Sequence, residues 1–358
     1  MITKLKITGF KCFEKLDLPK LSRVTLIGGK NNIGKTALLE ALFLFFDRIN
    51  PQMILRQFAW RGVNVLPLEA DTMWAPIFYK LDMKQPITIC TTIDNIEEKM
   101  TIKFNPHYVP ATVQATTTKK VGQAVQILTD QPPTPSYALD IQYQQRNKKN
   151  QTAHLIIGST GLGLHVDYME SQKRTVVILG SRMHVNPAED AERFGKLDIV
   201  GRQDEILAFL KILAPELKGL SSITIGETSM IHGDIGIGRK IPVAYTGDGM
   251  SRLLSIILAI ATSPHGVVLI DECENGIHHS VMSRVWEGIG RAAREFDCQV
   301  IGTTHSYECL EAAHKGFARE MAKDFSYVRI DKIGEQTIAK SFDYDSLSVA
   351  IDTNMEVR

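Results

Sequence analysis

The spacing of apolar residues near the N-terminus predicts a strand, a loop and a buried helix. Residues 4–10 alternate polar and apolar side chains, as a half-buried strand does. Residues 24–27 are a short apolar run, and residues 37–46 are a longer apolar run of helical length. The stretch between these two runs is rich in glycine, which favours a loop there.

From about residue 86 to 180 the pattern changes to short strands. Polar stretches such as residues 147–150 separate the apolar segments, as turns and loops do. We therefore predict a β-rich insertion in this part of the chain. The predicted strands are residues 87–91, 100–104, 138–143, 153–157, 164–168 and 175–179.

Beyond residue 186 the pattern alternates between helices and strands. Strands that alternate with helices indicate a mainly parallel sheet that is covered on both faces. The predicted helices are residues 187–220, 251–262 and 279–296, and the predicted strands are residues 221–226, 240–245, 266–270, 299–303, 325–330 and 337–342.

Composition excludes several classes of protein. The chain has 358 residues, of which 44% are hydrophobic and 23% charged, so a disordered or fibrous protein is excluded. Lys and Arg total 41 against 40 Asp and Glu, so any nucleic-acid contact must come from a local patch. The five cysteines lack zinc-ligand spacing, and no apolar run approaches the ~18–20 residues of a membrane span. With no signal-peptide pattern, we expect a reduced, cytoplasmic protein without membrane contact.

The first apolar run leads into a phosphate-binding loop, Gly29-x4-Gly34-Lys35-Thr36. Its glycines let backbone N–H groups curl around phosphate oxygens, and the helix that follows adds positive potential. We expect Lys35 to contact the β- and γ-phosphates and the Thr36 hydroxyl to be a ligand of Mg²⁺. The residues predicted to bind the nucleotide here are Gly29, Asn31, Asn32, Ile33, Gly34, Lys35, Thr36 and Ala37.

Two acidic residues, Asp271 and Glu272, follow the apolar run 267–270. In a parallel sheet, ligands bind at the carboxyl ends of the strands, where these acids would lie. We expect Asp271 to hold Mg²⁺ and Glu272 to orient and polarise the attacking water. A strand ending in a solvated turn is the alternative, but the phosphate-binding loop elsewhere in the chain favours the catalytic interpretation.

Further motifs lie around this acidic pair. The turn formed by Thr246, Gly247, Asp248 and Gly249 precedes an apolar helix and offers a second helix N-terminus to an anion. His305 ends another buried strand, 33 residues after Glu272. A single histidine is often structural, but its predicted place at the same sheet edge as the acids favours a contact with the γ-phosphate.

Along the chain, the order of these motifs is the phosphate-binding loop, the glycine-rich turn, the acidic pair and His305. This order resembles an ABC-type ATPase head, the group that includes the SMC, RecF-type and OLD-like ATPases. Two segments are most similar to the OLD-like branch. One is residues 247–249, Gly-Asp-Gly, and the other is residues 270–278, Ile-Asp-Glu-Cys-Glu-Asn-Gly-Ile-His. OLD nucleases carry a C-terminal Toprim domain after the head. Only 53 residues follow His305, so the chain resembles a head without its own nuclease domain.

The resemblance implies an α/β P-loop NTPase fold with a mainly parallel central sheet, an antiparallel β-rich subdomain and a helical signature subdomain. It implies one head made of a P-loop lobe (1–50), a β-rich insertion (51–185), a helical and signature region (186–265), and a final region (266–358) with the acidic pair and closing strands. Residues 246–252 would then be the signature motif, residues 275–278 the D-loop and His305 the switch histidine. Lys11 would be a basic residue near the nucleotide.

Two family features stay open at this point. The signature serine of the family is not plainly present, and Thr246 and Ser251 are the two candidates to replace its hydroxyl. Gln52 and Gln57 are candidates for the Q-loop glutamine, although an ordinary surface glutamine is the simpler interpretation of both.

The resemblance also implies a mechanism. ATP and Mg²⁺ would lie at the seam of a homodimer, where the signature of one subunit faces the P-loop of the other, and higher oligomers would be compatible with this. The leading hypothesis is an ATPase switch in an anti-phage defence or DNA-repair assembly with a separate, nuclease-like effector chain. The alternatives are a DNA-binding repair ATPase of the RecF type and an ATP-gated scaffold with little hydrolysis.

Overall fold

A computed structural model describes residues 1–50, 52–63, 69–109, 136–158, 161–170, 174–181, 186–353 and 355. The strands are β1 (Ile2–Phe10), β2 (Phe13–Leu18), β3 (Val24–Gly28), β4 (Ile87–Ile93), β5 (Ile96–Tyr108), β6 (Ser136–Gln145), β7 (Gln151–Gly158), β8 (Gly161–Tyr168), β9 (Val176–Leu179), β10 (Gly219–Ile225), β11 (Thr228–Asp234), β12 (Ile241–Pro242), β13 (Val267–Ile270), β14 (Gln299–Thr303), β15 (Phe325–Ile333) and β16 (Gln336–Asp343). The helices are α1 (Lys35–Phe46), α2 (Met53–Trp60), α3 (Ala70–Met73), α4 (Pro187–Asp198), α5 (Gln203–Leu210), α6 (Asp248–Ala261), α7 (His279–Glu295), α8 (Tyr307–Gly316) and α9 (Tyr344–Asp352).

The central sheet has the order β16-β15-β3-β14-β13-β9. All neighbouring strands are parallel except β15 and β16, which form an antiparallel edge. Every residue of β3, β13 and β14 is buried, as expected for strands that are covered on both faces. The predicted mainly parallel central sheet is confirmed.

Strand β9 corrects one element of the sequence prediction. Residues 175–179 were grouped with the β-rich insertion, but Val176–Leu179 pairs in parallel with β13 at the edge of the central sheet. The physical signal is the unbroken apolar run Val-Val-Ile-Leu, which is typical of a strand in a parallel sheet. A half-exposed antiparallel strand would alternate apolar and polar residues instead.

A second sheet is wholly antiparallel, with the order β2-β1-β4-β5-β6-β7-β8. The strands predicted between residues 87 and 168 all belong to it, and the N-terminal strands β1 and β2 extend it. Helix α1 is buried along nearly its whole length, and it shares one apolar core with strands of both sheets. This burial fixes the end of the phosphate-binding loop between the two sheets.

The region that carries the predicted signature combines α4, α5 and α6 with a small sheet of order β10-β11-β12. The single helical stretch predicted over residues 187–220 is two helices, α4 and α5. Strand β11 had not been predicted, and residues 240–245 form only the short β12 followed by a turn of 3₁₀ helix. Among the described residues, no helix combines the length and apolarity that a membrane span requires.

Two glycines offer a test of how closely the helices pack. Gly316 ends α8, where an added methyl group would come within 2.6 Å of the Ser283 carbonyl oxygen on α7. Gly195 lies within α4, where an added methyl group would meet nothing within 4 Å. We expect Gly316→Ala to lower the free energy of unfolding by about 1–3 kcal/mol because of overpacking. The control Gly195→Ala should raise it by about 0.5–1 kcal/mol because alanine loses less conformational entropy in a helix.

Urea unfolding of the two variants and the wild-type protein measures both changes. Equal stability of Gly316→Ala and the wild-type protein would contradict the close approach of α7 and α8.

Candidate active site

The predicted phosphate-binding loop connects the carboxyl end of β3 to the start of α1. Gly29 and Gly34 both have positive φ values, 137° and 106°. A methyl group at Gly34 would lie 2.5 Å from the Cys12 sulfur, so a side chain there would collide as well as strain the backbone. The first turn of α1 has no acidic residue and no capping side chain from the described residues. Its N–H groups are therefore free to bind an anion.

Lys35 is held across the inside of this loop. Its Nζ atom donates hydrogen bonds to the carbonyl oxygens of Gly29, at 2.6 Å, and Lys30, at 2.9 Å. Burial lowers the pKa of the Lys35 ammonium, although three nearby carboxylates, Glu274 first among them, oppose this effect. The ammonium is thus positioned to exchange carbonyl partners for the oxygens of a bound phosphate.

Three hydroxyl groups converge on the carboxylate of Asp271, which is almost fully buried. Thr36 Oγ1 donates to its two oxygens at 3.1 and 3.0 Å. Thr303 Oγ1 lies 2.7 Å from Oδ1 and Ser181 Oγ lies 3.2 Å from Oδ2. A donor set of carboxylate and hydroxyl oxygens fits Mg²⁺ better than a transition metal.

The described residues contain no ready cluster of three or more His, Cys, Asp and Glu side chains for a metal.

Ser181 and Thr303 were missed by sequence reasoning. Thr303 is the last residue of β14, and Ser181 follows β9 by two residues. The sequence feature that could have identified both is a hydroxyl residue at the carboxyl end of a buried parallel strand, which is where ligands bind in such sheets. That signal was hidden for Ser181 because β9 had been assigned to the other sheet.

Glu272 lies directly after Asp271 in a strained backbone conformation, with φ of 50°. Its backbone N–H donates to Thr303 Oγ1 at 2.9 Å. Its carboxylate accepts a hydrogen bond from Asn275 Nδ2, in the predicted D-loop, at 2.8 Å. Glu272 is partly exposed and lines the same cleft as the phosphate-binding loop. The carboxylate is therefore oriented before any ligand arrives.

His305 reaches the same cleft from the loop after β14. Its Nδ1 atom lies 3.0 Å from Glu274 Oε1 and 3.9 Å from Glu272 Oε1. The predicted meeting of the two strand ends is thus observed, with His305, Asp271 and Glu272 lining one cleft.

Lys11 takes part in a charge cluster around the buried carboxylate of Glu40, at the cleft. The carboxylate of Glu40, on α1, is completely buried and accepts hydrogen bonds from Lys11 at 2.6 Å and from Arg61 at two positions, both 2.8 Å. Burial lowers the pKa of Lys11, while the adjacent Glu40 opposes this. The sequence analysis identified Lys11 but neither Glu40 nor Arg61, because an isolated charge within a helix carries no motif.

Gln57 is buried, so the interpretation of this Q-loop candidate as a surface residue is wrong. Its side chain is 2% exposed, lines the cleft and accepts a hydrogen bond from Lys11 Nζ at 2.9 Å. Gln52, by contrast, is exposed at the start of α2. Gln57 is buried because α2 covers α1 at this point and Lys11 satisfies its amide oxygen.

These groups surround a cleft of about 1080 Å³. Most of the predicted loop residues line it, whereas Gly29 and Ile33 do not: the Gly29 carbonyl holds Lys35, and Ile33 packs into the core. The lining also includes the aromatic side chains of Phe58, Trp60 and Phe78. The loop residues at the cleft are Asn31, Asn32, Gly34, Lys35, Thr36 and Ala37.

The predicted signature turn does not line this cleft of its own chain. Thr246, Gly247 and Asp248 are exposed, and Gly247 forms the N-terminus of α6 with no capping side chain from the described residues. A methyl group at Gly249 would lie 3.1 Å from the carbonyl oxygen of Gly276, in the predicted D-loop. The turn is therefore a second exposed helix N-terminus that is braced against the D-loop.

The two candidates for the signature hydroxyl differ in exposure. Ser251 is buried, and its Oγ lies 3.4 Å from the carbonyl oxygens of both Val243 and Gly247. Thr246 is exposed, although its hydroxyl also donates to the Val243 carbonyl, at 2.7 Å. Of the two, only Thr246 is accessible to a ligand from outside the chain.

Two family models match the chain. The family model described as "AAA domain, putative AbiEii toxin, Type IV TA system" matches residues 130–311, about half of the chain. A second model, described as "AAA ATPase domain", matches residues 1–175.

A relative from Helicobacter pylori named "ATP/GTP phosphatase" is 25% identical over 349 residues, which cover 91% of this chain and 90% of that protein. Among solved structures, an SMC head bound to the C-terminal winged-helix domain of ScpA superposes with a TM-score of 0.50. The match covers 98% of this chain and 99% of that chain at 14% identity, so it concerns the fold alone. The predicted α/β fold of an ABC-type ATPase head is confirmed.

Proposed function

We propose that this chain, which belongs to the family described as "AAA domain, putative AbiEii toxin, Type IV TA system", is a Mg²⁺-dependent ATPase that dimerises around ATP. The observation that carries the proposal is the convergence of Lys35, the Thr36–Asp271 pair and Glu272 in one cleft. The name of the Helicobacter pylori relative, an ATP/GTP phosphatase, supports hydrolysis of a nucleoside triphosphate.

Each side chain has a role in this proposal. The N-terminus of α1 and Lys35 bind the phosphates, while Thr36 and Asp271 would hold Mg²⁺. When bound, the metal ion neutralises phosphate charge. Glu272 orients the attacking water and accepts its proton, and His305 contacts the terminal phosphate. Lys11 lies beside the cleft, where its charge adds to the attraction for the nucleotide.

The position of the signature turn supports the proposed dimer. One chain offers two helix N-termini to anions, at α1 and at α6, but only the first lines its own cleft. We infer that Thr246, Gly247, Asp248 and Gly249 contact the nucleotide in the cleft of a second copy. ATP bound by both copies stabilises the closed dimer by its higher affinity for that state, and hydrolysis releases it.

The proposed assembly is of the OLD-like kind, in the cytoplasm. The chain would act as the ATPase and sensor subunit of a defence or repair complex, with a separate nuclease-like protein as effector. Co-purification with the product of an adjacent gene tests this part. DNA-stimulated hydrolysis with a steep salt dependence would favour the RecF-type alternative instead.

Phosphate release tests the activity itself. Purified protein with ATP should release phosphate in the presence of Mg²⁺, and chelation with EDTA should abolish the release, because the ion that Thr36 and Asp271 would hold supplies the neutralisation of phosphate charge. Re-addition of Mg²⁺ should restore it. Phosphate release that persists at the same rate in EDTA would contradict the proposed site.

A further inference from the structure

The backbone of Glu272 has a conformation that the surrounding fold must hold in place. Its φ of 50° lies in the left-handed region, which residues with a side chain adopt only rarely. Such residues are strained, and they keep this conformation only where neighbouring groups fix them. The contacts of the peptide that precedes Glu272 are therefore the contacts that decide where its carboxylate lies.

This peptide, between Asp271 and Glu272, is held at both of its polar atoms. Its carbonyl oxygen accepts a hydrogen bond from Arg252 Nη2 at 3.2 Å. Its N–H group donates to Thr303 Oγ1 at 2.9 Å. A flip of the peptide would return φ of Glu272 to the negative range that most residues favour, but it would break both hydrogen bonds. Leaving the buried carbonyl without a donor is costly, so the pair of bonds opposes the flip.

Arg252 comes to this peptide from another part of the fold. It is 8% exposed and lies on α6, the helix whose N-terminus carries the predicted signature turn. Its Nε atom is buried and has no hydrogen-bond partner among the described residues. A buried guanidinium with an unsatisfied nitrogen costs stability, so packing alone does not explain an arginine at this position.

Electrostatic attraction explains part of this burial. The carboxylates of Asp271, Glu272 and Glu274 all attract the charge of Arg252. Such attraction keeps the guanidinium near the acids and offsets some of the cost of removing it from water. The hydrogen bond to the Asp271 carbonyl adds what the attraction lacks, because it fixes the orientation of one peptide group.

We propose that Arg252 is a positioning residue that holds the Asp271–Glu272 peptide and thereby keeps the Glu272 carboxylate in place for the attacking water. Without this hydrogen bond the strained peptide relaxes, and the carboxylate leaves its contact with Asn275. The inference rests on the proposed function, since Glu272 is the general base of that site.

A crystal structure of nucleotide-free Arg252→Met tests the inference without any hydrolysis. Methionine keeps much of the length of the side chain but donates no hydrogen bond. We expect a positive φ at Glu272 in the wild-type protein and a negative φ in the variant. If φ of Glu272 stayed positive in Arg252→Met and Asn275 still contacted the carboxylate, the inference would be overturned.

Kinetics in two backgrounds provide the second measurement. Misplacement of a reacting group by about 1 Å can cost about 100-fold, so Arg252→Met should lower kcat by about 10–100-fold. The double variant Arg252→Met/Glu272→Gln should be no slower than Glu272→Gln alone, because a base that has been removed cannot be misplaced. Equal slowing in both backgrounds would mean that Arg252 acts independently of Glu272, and the inference would fail.

ATP-dependent dimerisation separates this role from general damage to α6. The double variant should form the ATP-bound dimer as readily as Glu272→Gln, because the signature turn is unchanged. Loss of the dimer in the double variant alone would assign Arg252 to the turn and contradict the inference. Arg284→Met is the control, because Arg284 is an exposed arginine on α7 outside the cleft, and it should keep the wild-type kcat.

The design keeps the two proposals distinguishable. Absence of ATPase activity in the wild-type protein would contradict the proposed function but leave the crystallographic result standing. An active wild-type protein in which the conformation of Glu272 does not depend on Arg252 would contradict this inference alone. Should Arg252→Met fail to fold, Arg252→Gln replaces it in every comparison, because its shorter polar side chain does not reach the Asp271 carbonyl.

Discussion

Glu272→Gln should slow phosphate release by at least about 100-fold, because loss of a general base typically costs 10²–10⁴-fold. The amide keeps the shape of the side chain, and its oxygen can still accept the hydrogen bond from Asn275 that orients Glu272. It cannot accept a proton from the attacking water. ATP binding should be retained, because Lys35 and the N-terminus of α1 are unchanged.

The same variant should accumulate as an ATP-bound dimer. When hydrolysis is blocked, nothing releases the closed state that ATP stabilises. Size-exclusion chromatography with and without ATP measures the shift, and a phosphate-release assay measures the rate. Glu192→Gln is a matched control, because Glu192 is an exposed acid on α4 that pairs with Lys196 far from the cleft. Equal turnover of Glu272→Gln and the wild-type protein would favour the ATP-gated scaffold.

The parts of the site that could be predicted share one property. Each lies in a contiguous segment where an apolar strand ends in a chemically distinctive residue, as with Lys35, Asp271 and His305. In a parallel sheet these strand ends meet at one edge, so local pattern is enough to bring them together. The fold class followed from the same alternation of apolar strands and helices.

The parts that were missed depend on contacts between distant segments. Arg61 reaches Glu40 across a helix pair, and Ser181 meets Asp271 only because β9 joins the central sheet. The antiparallel sheet likewise pairs β1 with β4, which are about 80 residues apart in the chain. Such pairings have no local signature, because the partner of a strand is selected by the whole packed core.

The shared seam leads to a complementation experiment between two inactive variants. Lys35→Ala removes the charge that binds the phosphates, and we expect loss of at least about 100-fold in hydrolysis, as for other groups that stabilise transition-state charge. Thr246→Glu adds a second negative charge to the exposed signature turn, beside that of Asp248, where it would repel the phosphates of the partner's nucleotide. Its control, Thr246→Gln, has the same size without the charge and should retain much of the activity.

Each variant damages a different half of the composite site. Consider a mixed dimer of one Lys35→Ala copy and one Thr246→Glu copy. One of its two clefts is intact, because the Thr246→Glu copy supplies the native Lys35 and the Lys35→Ala copy supplies the native Thr246. The other cleft carries both changes. With random pairing of equal amounts in a two-fold dimer, about a quarter of all clefts are intact, so about a quarter of the wild-type rate should return on mixing.

Recovery of this kind has no explanation within a single chain, because each copy alone lacks one of the two groups. Native mass spectrometry can establish that mixed dimers form when ATP is present. Mixed dimers that form without any recovery would contradict the seam, since Lys35 and Thr246 would then have to act on the same nucleotide from the same chain. The exposed position of Thr246, outside the cleft that Lys35 lines, is the structural reason to expect recovery instead.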